Sequence, residues 1–358
     1  MTRFSVRAAG PADHDAVRAC MLDVFRESGG RKATEFGREL WDWQYLRSER
    51  GSLVVIAEER GALCGYFHAR LLDLRHGDRL VSGAMIQDVG TLESHRGQGV
   101  FREMGAFALA SLRSQGVDLI YTFPNQRSLP SFVRNHAYSI VAKVPVYLAP
   151  LDLRDPLTAR AGAVGGVLGR ILVGLFRAVR VRRARLEPTE GVGVVEPRDA
   201  ALEALSRGFA KRTRIHLDRT SRYTGWRFGE KPGGEYQVWG LRANGELSAY
   251  VVTRPATMFS GRCVMFMDFG CREGEEAALR RLVGVRLAAE REAGAAMGVV
   301  MGLHPEFRRW GGLGFVRLPE AMNPRPFNLL TKPLSSDVEQ GLLDPANWLI
   351  TLADWDVF

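Results

Sequence analysis

The sequence predicts an α/β fold, with mixed sheets flanked by helices, present as two tandem copies. Three observations carry this. An extended apolar run from Met85 to Leu92 meets a turn with Gly97 and Gly99, and then a helical pattern of Met104, Phe107, Ala108 and Leu112 ending near Gly116. Ahead of that unit come a strand, two helices and antiparallel strands. Behind it, the second half of the chain repeats the landmarks of the first.

Each element follows from local pattern. Phe4 to Ala8 reads as a strand, and Pro11-Ala-Asp13 opens a helix on which Val17, Cys20, Met21 and Phe25 recur at helical spacing. A second helix, Ala33 to Leu46, ends in the aromatics Trp41, Trp43 and Tyr45. Leu53 to Glu58 and Ala62 to Leu74 read as strands joined by the turn Glu59-Arg-Gly61, and a turn at His76-Gly-Asp78 leads into the strand bearing Asp88. After the helix come a short strand, Asp118 to Phe123, and the segment Pro124-Asn-Gln-Arg-Ser-Leu-Pro-Ser-Phe-Val-Arg-Asn-His-Ala-Tyr138.

The repeat is visible residue by residue. Trp43-Gln-Tyr45 is answered by Trp226-Arg-Phe228, Gly61 to Tyr66 by Gly245 to Tyr250, and Asp88-Val-Gly90 by Asp268-Phe-Gly270, at offsets of 183, 184 and 180 positions. Tyr121 to Asn125 matches Val299 to Leu303 or His304, and Ala137-Tyr138 matches Gly314-Phe315. Where the first copy has Arg96-Gly-Gln-Gly99, the second has Cys271-Arg-Glu-Gly-Glu-Glu276, whose three carboxylates repel an anion.

A chain of 358 residues holds two or three domains. Its 46% hydrophobic and 25% charged content is globular and excludes a disordered chain. Cys20, Cys64, Cys263 and Cys271 show no Cys-x-x-Cys spacing, the seven histidines are scattered, and Met1-Thr-Arg-Phe-Ser-Val-Arg7 has no apolar signal core, so the expectation is a cytoplasmic protein with reduced thiols and no metal. A formal charge of +9 favours anionic partners.

The turn after Leu92 indicates which anion. A helix start presents unpaired backbone N–H groups and partial positive charge, and with Arg96 beside it forms a receptor for a pyrophosphate, the glycines allowing close approach. Arg96-Gly-Gln-Gly-Val-Phe101 resembles the acyl-CoA pyrophosphate loop of the GCN5-related N-acetyltransferases, with Phe101 where Gly or Ala is usual. Asn125, Ser128 and Ala137-Tyr138 fall where that family has an Asn after the fifth strand, a small residue three positions on and a Gly-Phe pair. The resemblance covers about Phe4 to Tyr147. It implies acetyl-CoA or another acyl-CoA as co-substrate, bound by Arg96, Gly97, Gln98, Gly99, Val100 and Phe101 at the pyrophosphate, and by Val89, Thr91, Asn125 and Ser128 along the pantetheine arm. Together with the repeat, it points to two domains of this type: a GNAT domain at 1–150, a basic amphipathic linker helix at 151–190, a degenerate GNAT-like domain at 191–335 and a tail at 336–358, each domain a mostly antiparallel twisted sheet flanked by helices.

The implied reaction is direct acyl transfer to an amine held between the domains. Val89 or Thr91 N–H would steady the oxyanion. Asp88 is the candidate base; Asp268 repeats it in the copy that lacks the loop, which favours a structural role. The family's usual acid is a tyrosine seven residues after the Asn; here Phe132 occupies that place, Trp310 lies near the equivalent in the second copy, and Tyr121 and Tyr138 are substitutes. The tail offers Asp354, Asp356 or the terminal carboxylate to the first active site, or else docks as a packed C-terminus. Segment 161–185, with Arg170, Arg177, Arg180, Arg182, Arg183 and Arg185 beside an apolar face, reads as a linker helix or as a peripheral membrane contact. A small-molecule amine is the expected partner and nucleic acid is not. Two other readings stay open: a non-catalytic acyl-CoA-binding or scaffold protein, and a tRNA-dependent aminoacyl transferase with paired domains.

Overall fold

The computed structural model describes residues 3–28, 37–152, 189–258, 261–323 and 326–355. They form two compact units, one of residues 1–143 and 325–345, the other of residues 144–324 and 346–358.

In the first unit β1 (Ser5–Ala8) leads to α1 (His14–Glu27) and α2 (Arg38–Tyr45). Next come β2 (Ser52–Glu59), β3 (Ala62–His76), β4 (Arg79–Thr91), α3 (Val100–Ser114), β5 (Leu119–Thr122), α4 (Leu129–His136) and β6 (Ser139–Val144). Arg60 and Gly61 both take positive φ at the β2–β3 hairpin, the tight-turn geometry that matches strand twist. The helices are amphipathic as read: α1 buries Val17, Cys20, Met21 and Val24, and α3 buries Val100, Met104, Ala108 and Leu112, one every four residues. Fully burying side chains of this size stabilises by roughly 1.5–3 kcal/mol each for the larger ones. Trp41 and Tyr45 of α2 join the α1 cluster on one face of the sheet, while α3 packs with Phe67, Phe132 and Tyr138 in another cluster.

The sheet order is β1-β2-β3-β4-β5-β15-β6, where β15 (Phe327–Pro333) comes from near the C-terminus and pairs antiparallel with β5, Thr331 facing Tyr121. Only β4 and β5 pair in parallel among the registers described, Gly83–Ile86 against Leu119–Thr122.

The second unit has β7 (Val146–Pro150), β8 (Val192–Val194), α5 (Ala200–Ala210), β9 (Ile215–Leu217) and α6 (Ser221–Thr224), which runs into a π-helical turn at Gly225–Gly229. β10 (Gln237–Ala243), β11 (Glu246–Met258), β12 (Gly261–Cys271), α7 (Glu276–Glu292), β13 (Met297–Met301) and β14 (Val316–Arg317) follow. Its sheet order, β8-β10-β11-β12-β13-β7-β14, matches the first strand for strand, with β12 and β13 as the parallel pair. The hairpin turn recurs as well, at Asn244 and Gly245.

The divisions expected at residues 150 and 335 therefore fall elsewhere. β6 and β7 are separated by Pro145 alone, yet β7 lies in the second sheet against β13 and β14, and β15 lies in the first. Each sheet has its sixth place filled by the strand that the chain order assigns to the other copy.

The tail divides: its residues up to Pro345 belong to the first unit, and from Ala346 it docks in the second. Leu303 and Ile350 exchange backbone hydrogen bonds at 2.8 and 3.1 Å, and Trp348, Leu352, Ala353 and Trp355 are buried. The amphipathic segment 161–185, residues 33–36 of the second predicted helix, and Asp356 to the chain end lie outside the described residues. No described helix is long and apolar enough to cross a membrane.

Candidate functional site

The site begins where β4 and β5 stop pairing. Their last partners are Ile86 and Thr122, locked by a Thr122 hydroxyl that donates to the Ile86 carbonyl at 2.8 Å. β4 continues against β3 alone, past a bulge in which Asp88 is the extra residue between the pairs His68–Gln87 and Phe67–Val89. Asp88 has φ +44°, a left-handed conformation that Asp tolerates better than bulkier residues. Beyond the bulge the register fixes the direction of every backbone group. Leu92 N–H donates to the Cys64 carbonyl, opposite it in register, so Leu92 and Gly90 bond towards β3 and the alternate residues Val89 and Thr91 turn their N–H and C=O groups to the edge that β5 has left. Gly90 is required: a Cβ there would lie 2.4 Å from the Tyr66 hydroxyl.

The turn then closes onto α3. Gln98 Nε2 donates to the Ser94 carbonyl at 2.8 Å, Gly97 and Gly99 take φ +76° and +86°, and a Cβ at Gly97 would meet nothing within 4 Å. Gly99 is the N-cap and brings no side chain; the first intrahelical bond is Glu103 N–H to Gly99 O at 3.0 Å. The preceding amides, those of Val100, Phe101 and Arg102, have no protein partner among the described residues, and Gly97, Gln98 and Gly99 are likewise unbonded at nitrogen. A helix N-terminus with open space at Gly97 and only the Arg102 guanidinium near Gly99 fits a phosphate group.

Arg96 has protein partners that the sequence did not announce. Its Nε donates to the Thr91 carbonyl at 3.2 Å and its Nη2 to Glu27 at 3.1 Å, so the guanidinium braces the turn against α1. The cation beside the helix start is Arg102, whose Nη2 lies 3.4 Å from where a Gly99 Cβ would be.

Asn125 also works locally. Its Oδ1 accepts from Arg127 N at 2.9 Å and Ser128 N at 3.0 Å, which starts α4 and leaves only the carboxamide NH2 to face a ligand; Ser128 Oγ turns back onto Asn125. Ala137 ends α4 at φ +52°, the backbone that explains why a Gly suits this place. Phe101 packs on Phe132 at 5.3 Å and on His136 at 5.5 Å, away from the amides. Phe132 is 1% exposed. The Tyr138 hydroxyl is buried, and desolvation drives its pKa upward, so it is a poor proton donor.

Asp88 differs sharply from its counterpart. Asp88 is half-buried and accepts from Gln44 Nε2 at 3.0 Å and from the Tyr45 hydroxyl, while its carbonyl meets His68 Nδ1 at 2.9 Å. No cation pairs with it among the described residues. Asp268 is 1% exposed and bound to the Arg219 guanidinium at 2.9 Å, to the Tyr250 hydroxyl at 3.1 Å and to the Thr351 hydroxyl at 3.0 Å. Arg219 also takes Asp354 at 2.9 Å, and the adjoining carboxylates push its pKa up against the opposing effect of burial. Asp354 is therefore consumed inside the second unit, which corrects its expected reach to the first active site. Sequence reasoning missed Gln44 and Tyr45; the repeat held the signal, since Trp43-Gln-Tyr45 becomes Trp226-Arg-Phe228 in the copy whose Asp is neutralised.

At the second helix start, Glu276 occupies its own backbone N–H, an interaction that lowers its pKa, and pairs with Arg212 at 2.7 Å. Trp43, Trp226 and Trp310 are core residues. Among the described residues no three His, Cys, Asp or Glu side chains gather as a metal site. All four cysteines are free thiols, buried, with Cys20 pushed up to about 12.

Residues 5–141 match the family model described as "Acetyltransferase (GNAT) domain". Two solved structures similar along most of their length are a GCN5-related N-acetyltransferase from Anabaena variabilis (12% identity, 93% of this chain and 73% of that one, TM-score 0.65) and an Enterococcus faecalis "conserved protein of unknown function, probable N-acyltransferase" (11% identity, 96% and 74%, TM-score 0.64). No curated protein matches the sequence. Residues 5–141 are thus similar in sequence to the GNAT acetyltransferase domain, and the chain as a whole has the fold seen in a GCN5-related N-acetyltransferase structure.

Proposed function

We propose that the first unit is an acyl-CoA-dependent N-acyltransferase that moves an acyl group, acetyl in the simplest case, onto an amine of a small molecule. The observation that carries this is the continuity of the open β4 edge with the unbonded amides at the start of α3. Pantetheine would lie along Val89 and Thr91 in the manner of an added strand, with the Asn125 carboxamide NH2 as a donor, and the pyrophosphate would rest on the amides from Gly97 to Arg102. The acyl carbonyl oxygen would face Val89 N–H. As the amine nitrogen bonds to the carbonyl carbon, negative charge grows on that oxygen and the N–H stabilises it. Asp88, held by Gln44 and Tyr45, takes the proton the amine must lose. The C–S bond then breaks and the thiolate takes a proton from water, because Phe132 has no hydroxyl to give.

The second unit is proposed to bind no acyl-CoA, its helix start being filled by Glu276. Phe132 is also the observation that favours a second reading, a protein that binds acyl-CoA without turning it over. Release of free thiol from acetyl-CoA, followed across a panel of sugar amines, amino acids, polyamines and aminoglycosides, separates the two: amine-dependent release supports the transferase, and acyl-CoA binding with no release for any amine supports the binder.

A further inference from the structure

The α1 end and the β4–α3 turn are joined by one carboxylate. Glu27, the last residue of α1, accepts from Glu93 N at 2.8 Å and from Arg96 Nη2 at 3.1 Å through the same oxygen, Oε2. Arg96 in turn spans to the Thr91 carbonyl on the open edge of β4, and its Nη1 lies 3.9 Å from Glu93. Arg96 is thus fixed at both ends, and Glu93 and Arg96 bracket the short 3₁₀ turn Glu93–His95 that delivers the chain to Gly97. A carboxylate is an unfavourable neighbour for a bound pyrophosphate on charge alone. Its hydrogen bonds explain its presence: they hold the turn in the shape that exposes the amides.

We infer that Glu27 is a positioning residue for acyl-CoA, setting affinity through Arg96 and the Glu93 amide without touching the ligand. This rests on the acyl-CoA reading of the turn. Two effects of removing it have opposite sign, which makes the inference testable. Loss of local negative charge alone would tighten acyl-CoA binding, and loss of the brace loosens it. Arg96 and Glu27 also act through one contact, so their substitutions must be strongly non-additive.

The test uses the full-length chain, with CoA as the probe in calorimetry and acetyl-CoA in steady-state kinetics where turnover is found. Glu27→Ala should raise the CoA Kd about 10-fold, with kcat at saturating acetyl-CoA changed less than about twofold. Glu27→Gln keeps an oxygen for Glu93 N–H and should recover part of that loss, and Glu27→Ala with Arg96→Ala should bind no more weakly than the worse single variant. Asp23→Asn, on the exposed part of α1, should leave the Kd unchanged, and circular dichroism reports whether each variant is folded. Unchanged or tighter CoA binding in folded Glu27→Ala, or additive effects in the double variant, would overturn the inference. Failure of the wild type to bind CoA would instead overturn the acyl-CoA reading beneath it.

Discussion

Leu330 sits near the chain's C-terminal end, almost two hundred positions beyond the family match, yet it belongs to the first unit. It is 0% exposed, faces Thr122 across the β15–β5 ladder, and packs in the cluster that holds Val100, Met104 and Phe132. Leu330→Ala removes the bulk of that side chain from a closed core. Substitutions of this kind cost about 2–5 kcal/mol, the spread reflecting how far the cavity collapses. The site lies inside a sheet, with strands on both sides of β15, so little collapse is available and about 3 kcal/mol is the expected loss. For a unit of roughly 160 residues that lowers the melting temperature by about 6–12 °C. Scanning calorimetry measures it, with Leu343→Ala as the control: Leu343 is in the same segment and 58% exposed. CoA affinity measured below the transition should survive, since the turn is untouched. A Leu330→Ala loss under about 1 kcal/mol, or one matched by Leu343→Ala, would refute the placement of β15 in the first core.

Two further outcomes follow from the site. Asp88→Asn keeps an acceptor for Tyr45 and tolerates φ +44°, so it should fold, bind CoA as the wild type does, and lose about 100-fold in kcat; a loss under threefold would make Asp88 a bulge residue with only the structural role that Asp268 has. Burial pulls the pKa of His68 down to about 4 from an ordinary 6.5. Because its folded pKa is the lower one, the unfolded chain binds the extra proton as pH falls from about 6.5 towards 4, and stability drops through that window by up to about 3 kcal/mol. Urea unfolding at pH 7 and pH 4.5 measures the drop. Burial pulls His304 down to about 4 and lowers His136 as well, so His68→Asn should reduce the slope without abolishing it; an undiminished slope would show that His68 is not among the titrating groups.

Much of this fold was legible because its signals are local. Helical spacing on α1 and α3, the Gly-bearing hairpins, and the strand–turn–helix around Gly97 and Gly99 each lie within a window of about fifteen residues, and the repeat at offsets near 183 announced the second sheet. Strand exchange was not legible. β7 and β15 are short apolar strands whose sequences suit the sixth place of either sheet, and no local pattern says which of two alike sheets a strand will enter. The contacts of Arg96 were not legible for a related reason: its partner Glu27 lies 69 positions away, and no local pattern announces a counter-ion that distant. Asp88 and Asp268 look equal in sequence and differ in backbone and surroundings: Asp88 is the bulge residue at φ +44°, held by Gln44 and Tyr45, while Asp268 pairs in register with Val252 and is bound by Arg219.

The central claim is that acyl-CoA binds the first unit at the turn into α3, once per chain. Gly99→Glu tests it most directly, because Gly99 holds φ +86° at the helix start, where a side chain is strained and a carboxylate opposes the pyrophosphate. Calorimetric titration of CoA and acetyl-CoA into the wild type should give one site per chain, and the same titration of a folded Gly99→Glu variant should show at least 100-fold weaker binding. Two sites per chain, or a wild-type site that survives in the variant, would contradict the account.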